Sequence, residues 1–298
     1  MATIAYEQSR KSTVPFYKTR SFGDGVKNVV VYILLIFLSF IFLFPFLWMV
    51  SSSLKSADQI FMWPPQWFPD PIVWKNFSDA FSNPYLNFFT FFKNTMIIEI
   101  GVMVGKLISC VLVAYGFARL KAPGKNFIFG ILLATFMLPG AVLMIPKYIL
   151  FNYIGWINTF LPLIVPSWFG ESYAIFLMRQ FFMSIPVELE EAAIIDGANT
   201  YRIIRNIIVP LSTPILAVIM VLTFKDEWND FFGPLLYLND ATKYTLSVGL
   251  AYFNGQYTVA MGPLMAASTV TMIPLIIVFF FGQKAFVEGI SLTGIAGR

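Results

Sequence analysis

Six long apolar runs alternate with polar segments along the 298 residues: Val29 to Val50, Phe91 to Phe117, Phe127 to Ile145, Leu161 to Phe182, Ile207 to Trp228 and Leu264 to Gly282. Each is close to the roughly 20 residues that a helix needs to cross a bilayer's hydrocarbon core. The pattern therefore predicts an all-α, polytopic membrane protein with six transmembrane helices. Pro139, Pro166, Pro214 and Pro274 fall inside these runs. They are expected to kink or interrupt them, because proline removes one backbone donor and clashes one turn back. The first run follows a polar, basic stretch, as a secretory signal would. It is longer than an h-region of about 7 to 15 residues and ends in Pro45-Phe46-Leu47-Trp48 rather than at a small-residue cleavage site, so an uncleaved span is expected. No internal repeat, low-complexity tract or separate soluble domain interrupts the series.

Composition agrees and narrows the function. Apolar residues make up 58% of the chain and charged ones only 12%, against about a quarter charged in a soluble domain. The absence of histidine removes the commonest acid/base residue and metal ligand, so neither catalysis nor a metal or haem site is expected. Cys110 is the only cysteine. It cannot form an internal disulfide and reads as packing among Leu107, Ile108 and Val111. The net charge of +4 is scattered rather than gathered in a stripe, which argues against a nucleic-acid partner.

The placement of basic residues orients the chain. Thirteen fall on one side: Arg10, Lys11, Lys18, Arg20 and Lys27, then Arg119, Lys121 and Lys125, then Arg179, Arg202 and Arg205, with Lys284 and Arg298 at the end. The other side receives six (Lys55, Lys75, Lys93, Lys147, Lys225 and Lys243), and Lys106 lies within a span. The positive-inside rule makes the richer side cytoplasmic. The expected organisation is a cytoplasmic tail over 1–28, a six-helix domain over 29–285 with a cytoplasmic loop at 184–206, and a cytoplasmic tail over 286–298. The segments near 52–90 and 229–262 are then external and lie on the membrane surface.

The loop at 184–206 reads as helix, break and helix. Ser184 can cap the first helix, Pro186 suits its first turn, and Glu188 and Glu190 match its positive end. Gly197 offers a left-handed stop, and Asn199 or Thr200 can cap the helix that follows. An amphipathic helix resting on lipid shares these general features. The wording is more specific than that. Glu191-Ala192-Ala193, three residues, Gly197, nine residues, Ile207, one residue, then Val209-Pro210, with Asp196 and Ala198 in place, resembles the EAA loop of permeases from ATP-binding-cassette (ABC) importers, with Val209 where leucine is usual. Four other stretches resemble the carbohydrate branch of these permeases, in particular the second membrane subunit of maltose-type systems. They are Ala114-Tyr115-Gly116-Phe117-Ala118-Arg119-Leu120, Phe176-Leu177-Met178-Arg179-Gln180-Phe181-Phe182, Trp228-Asn229-Asp230-Phe231 and Gly289-Ile290-Ser291-Leu292-Thr293-Gly294.

The resemblance implies a type I ABC importer permease fold in a bacterial cytoplasmic (inner) membrane. It implies that the loop docks on a separate ATPase, with Glu191 the polar anchor, Ala192 and Ala193 the close contacts, Asp196 beside them, Gly197 the bend, and Pro210 the link to the next span. The implied partners are a homologous second permease subunit, two ATP-binding-cassette ATPase subunits and an extracytoplasmic sugar-binding protein. ATP and magnesium then belong to the ATPases, with no cofactor in this chain, and the cargo is a carbohydrate, an oligosaccharide by this likeness. Two departures limit the transfer. The chain ends Gly294-Ile295-Ala296-Gly297-Arg298 where the pattern tends to end in lysine and glycine, and in maltose-type systems the other membrane subunit chiefly holds the sugar.

Gly101-Val102-Met103-Val104-Gly105-Lys106 superficially resembles a phosphate loop, but its glycines are one residue too close, no Ser or Thr follows Lys106, and it lies inside a span. A small-residue contact between helices fits better. Charges within spans are costly and usually face a cavity or partner, which singles out Glu99 and Lys106. Seven residues apart, they lie about 10 Å apart along the axis, too far to pair. Asp226, Asn229 and Asp230 surround Trp228 near the outer end of the fifth span. An aromatic face with carboxylates and amides suits a sugar ring, and an interfacial aromatic belt accounts for the same residues. Glu171 is a further pathway candidate. Tyr252, Phe253, Asn254, Gly255 and Gln256, before the sixth span, are candidates for contact with a binding protein, or again belong to the belt. An ion-gradient carrier using Glu99, Lys106 and Glu171 as a relay is the alternative. Such carriers show paired repeats, and none is visible.

Overall fold

The computed structural model describes residues 20–82, 87–252 and 261–295, and among these the regular structure is entirely helical. The first span is α1 (Arg20–Ser52), whose outward apolar residues from Val29 to Phe44 are exposed on the isolated chain. Two short helices follow outside it, α2 (Ala57–Ile60) and α3 (Lys75–Phe81). Then comes α4 (Phe88–Arg119), the central helix of the bundle.

The third expected span is not one straight helix. It consists of α5 (Lys125–Phe136) and α6 (Gly140–Tyr153), bent by 97°. The break falls at Pro139, which is extended at φ −61° and ψ 132°. The fourth is α7 (Leu161–Ile164), a 3-10 stretch over Val165–Phe169 that contains Pro166, and α8 (Ser172–Ser184). The helices of the 184–206 loop are α9 (Glu188–Ile195) and α10 (Thr200–Ile203), continued by a π-turn over Ile204–Ile208 and α11 (Val209–Leu211). A 78° bend separates this arm from α12 (Thr213–Trp228). The expected start of the fifth span at Ile207 falls in the π-turn of the arm, ahead of this bend at Pro214. Outside it lie α13 (Phe232–Tyr237) and α14 (Leu246–Tyr252), and α15 (Met261–Ile295) completes the described chain, running unbroken through Pro274.

Among the described residues, four helices are long and apolar enough to cross a membrane, and the two bent pairs bring the number to as many as six. Ridges of side chains cannot interlock at the closest approaches of α4, so glycine stands there. A Cβ on Gly101 would lie 2.8 Å from Ile164, and one on Gly105 would meet the Trp168 ring and come within 2.8 Å of the Ser167 hydroxyl. The phosphate-loop lookalike is therefore the surface on which the 3-10 stretch rests. Cys110, fully buried, packs beside it in a core with Ala114, Met178, Phe182 and Ile208. A second core joins α3, the N-terminal half of α4, the end of α12, α14 and α15, around Phe88, Phe224, Trp228 and Ala266.

Candidate coupling loop and pathway

The loop is held to the rest of the chain at one buried point. Glu190, in the first turn of α9, accepts a hydrogen bond from the Tyr115 hydroxyl at 2.9 Å. Its other oxygen lies 2.5 Å from Arg119 Nε, an ion pair rather than a well-angled hydrogen bond. Arg119 also donates through Nη2 to the Ile185 carbonyl at 2.5 Å. Arg179 ties α8 to α4 in the same region, donating to the Phe117 carbonyl at 3.3 Å with its guanidinium 4.3 Å above the Phe129 ring. Charge-assisted contacts of this kind are among the stronger ones available to a helix end.

Beyond that anchor the loop is open. Glu191, Ala192, Asp196 and Gly197 are exposed, and Ile194 and Ile195 are 60% and 86% exposed. Gly197 has φ +79°, the left-handed geometry expected of a helix stop. The Ala198 N–H then donates to the Ala193 carbonyl at 2.9 Å. Asn199 caps the following helix by accepting from the Arg202 N–H at 2.9 Å.

Two sequence expectations change here. Ser184 does not cap α9, because α8 runs through it and its hydroxyl donates to the Phe181 carbonyl at 2.7 Å. Ala193 is not presented with Ala192, because it is half-buried against the chain's own core. Pro210 is exposed within α11, immediately before the bend.

The pathway candidates divide into two groups. Lys106 and Glu171 form an ion pair of 2.8 Å between α4 and the start of α8. They line a cleft of about 170 Å³ with Tyr173, Thr223 and Asp226. Lys106 thus finds a partner on another segment, while Glu99 is 1% exposed with neither carboxylate oxygen hydrogen-bonded among the described residues. Asp226 is exposed and pairs with Lys225 at 3.1 Å.

Trp228 departs from the sugar-platform expectation. It is buried, stacked on Phe224 with centroids 5.1 Å apart, and its indole N–H donates to the Thr271 carbonyl at 3.1 Å. A ring so enclosed cannot also lie against cargo. Asp230 accepts from the Gly233 N–H at 3.1 Å, capping α13, and Asn229 donates to the Lys225 carbonyl at 2.6 Å.

The segment between α13 and α14 is braced by Asn158, whose side-chain oxygen accepts from the N–H groups of Asn239 and Asp240 and whose carbonyl accepts from Lys243 at 2.7 Å. The Thr242 N–H and hydroxyl hold the Asp240 carboxyl below the usual carboxylate range. Tyr252 stacks on Tyr244 with hydroxyls 3.0 Å apart, and that hydrogen bond, with burial, pushes Tyr244 up to about 12. Phe253, Asn254, Gly255 and Gln256 lie outside the described residues.

Residues 107–292 match the family described as the inner membrane component of binding-protein-dependent transport systems. The chain belongs to this family. The permease is 32% identical over 263 residues to the arabinooligosaccharide transport system permease AraQ of Halalkalibacterium halodurans, covering 88% of this chain and 94% of that one. It is 31% identical over 283 residues to the trehalose/maltose transport system permease MalG of Thermococcus litoralis, covering 92% and 99%. A crystal structure of a bacterial ABC transporter involved in import of the acidic polysaccharide alginate contains a chain that superposes with a TM-score of 0.76. The two are 26% identical, over 91% of this permease and 99% of that chain. The family match and these relatives agree with the maltose-type likeness read from the loop and the four flanking stretches.

Glu190 was the site residue least visible in the sequence. Three glutamates stand within four positions, and the spacing singles out Glu191. The signal that identifies Glu190 is its distant complement, Tyr115 and Arg119 one turn apart on one face of α4.

Proposed function

We propose that this permease forms half of the translocation pathway of an ATP-driven carbohydrate importer, and that separate ATPase subunits act on it through the 184–206 loop. The observation that carries the reading is the division of the loop into a buried anchor at Glu190 and an exposed turn from Glu191 to Gly197. A partner that grips the exposed turn moves α4 through Arg119 and α12 through the arm ending at Pro210. Glu191 and Asp196 supply charge to that grip, and Ala192 allows close approach.

The chain lies in the cytoplasmic membrane with both termini inside, alongside a homologous second permease, two ATPase subunits that hold ATP and magnesium, and an extracytoplasmic sugar-binding protein. The second permease completes the pathway. The binding protein makes its contact at Tyr252 to Gln256. Relatives described with sugar cargo support the carbohydrate assignment, and the alginate system extends that range to acidic cargo.

The test is Gly197→Val. The open space around Gly197 confines the effect to the backbone, where a β-branched residue at positive φ costs about 1–3 kcal/mol. The variant is expected to insert normally while losing ATPase docking or uncoupling hydrolysis from uptake, with Gly197→Asn milder. Wild-type uptake by Gly197→Val overturns the reading.

A further inference from the structure

The cleft between α4, α8 and α12 is poor in free positive charge. Its lining includes one lysine, Lys106, and no arginine. Lys106 is already paired with Glu171 at 2.8 Å. Lys225, outside that lining and 58% exposed, contacts its chain neighbour Asp226 at 3.1 Å. Carboxyl groups are in excess. Glu227 lies within electrostatic reach of Lys106, Asp230, Glu171 and Asp226. Glu99, behind them, has Glu227 and Lys106 as its charged neighbours. It is 1% exposed, and nothing among the described residues donates to either of its oxygens.

We propose that this cleft selects carbohydrate cargo free of carboxylate and phosphate groups, an uncharged or amine-bearing oligosaccharide. The proposal rests on the reading of the chain as half of a carbohydrate pathway and decides between the neutral and acidic cargos that the family spans. A carboxylate or phosphate leaving water needs charge-assisted donors, most effectively arginine or lysine. Here the lysine that lines the cleft, Lys106, is committed to Glu171, so an anionic sugar would have to break that ion pair and then sit beside the carboxylate it displaced. Like charges repel strongly where water is scarce. Sugar hydroxyls and ammonium groups are donors, and Glu171 and Asp226 are exposed acceptors on the cleft wall.

The experiment uses the complete transporter in proteoliposomes, with its binding protein and ATP. Neutral oligosaccharides and their C6-oxidised uronate counterparts of equal length are compared, each uptake rate being divided by the occupancy of the binding protein. Per occupied binding protein, the neutral sugar is expected to enter about tenfold faster than its uronate. Asp226→Lys should narrow that ratio to about threefold or less, and the milder pair Asp226→Asn with Glu227→Gln should shift it the same way. Binding-protein-stimulated ATP hydrolysis verifies assembly of each variant. Equal entry of uronate and neutral sugar, or a ratio untouched in assembled variants, overturns the proposal. Loss of all ATP-dependent uptake in the wild-type complex would instead remove the importer reading on which it stands.

Discussion

Arg119 and Glu190 meet at 2.5 Å and join the C-terminal end of α4 to the first turn of α9. Both side chains are nearly enclosed, at 12% and 7% exposure. Removing one member leaves the other charge buried without a counterion, which costs about 3–5 kcal/mol. Glu190→Ala is therefore expected to lower unfolding stability by about that amount, with the double variant Arg119→Ala, Glu190→Ala less destabilised than the two single effects added. Thermal unfolding in detergent measures the cycle. Strict additivity would show that the pair is not coupled. ATP hydrolysis should also fall less than uptake, since the lost contact lies between the docking turn and the bundle.

Much of the fold was legible because membrane helices declare themselves by length and apolarity. Local chemistry was legible too: Gly197 is left-handed, Asn199 caps its helix, and Pro139 stands at a break. What the sequence withheld were relations between distant segments. Lys106 meets Glu171, 65 positions away, and Tyr115 meets Glu190, 75 away, and no periodicity encodes either. Trp228 misled for a related reason. Its polar neighbours suggested a surface, but the indole turns to the opposite side of α12, toward Thr271. Ser184, a good cap by type, is instead the last residue of α8 and bonds one turn back to Phe181.

The close approach at Gly105 gives a steric test. Any Cβ there meets the Trp168 ring and the Ser167 hydroxyl. Gly105→Val is expected to destabilise the permease by about 1–3 kcal/mol through overpacking. Because Trp168 is 45% exposed, its ring can be trimmed, and Trp168→Ala should recover part of the loss. Thermal melting of the single and double variants decides the matter. A Gly105→Val protein as stable as wild type would contradict this contact.

Orientation follows from the thirteen basic residues against six, and accessibility tests it. In a Cys110→Ala background, single cysteines replacing Pro123 or Asp196 are expected to be shielded from an impermeant thiol reagent outside intact cells, whereas one replacing Gln66 reacts. All three positions are exposed on the isolated chain, so burial within the chain does not explain shielding. The reverse labelling pattern would invert the topology.

Lys55 poses a different question, just outside the first span. It is fully buried, its ammonium lies 4.0 Å over the Trp48 ring, and no hydrogen-bond acceptor is in place for it among the described residues. Asn76 fixes the surrounding backbone by donating to the carbonyls of Ser53 and Lys55 at 2.9 and 2.8 Å, so the side chain has little room to escape. Burial lowers the pKa of Lys55 from its ordinary value. The folded protein therefore binds this proton less tightly than the unfolded chain, and stability rises with pH through the window between the two values. The ring offsets only part of the desolvation. Lys55→Met keeps the apolar stem and removes the charge, and is expected to be about 1 kcal/mol more stable at neutral pH. The advantage should shrink as pH climbs toward the ordinary lysine range, because the wild type gains stability there and the variant does not gain this share of it. Melting curves of both proteins from neutral to alkaline pH provide the measurement. A variant that is less stable at every pH, with an unchanged slope, would mean that the ammonium is satisfied in the assembled protein and that its burial carries no net penalty.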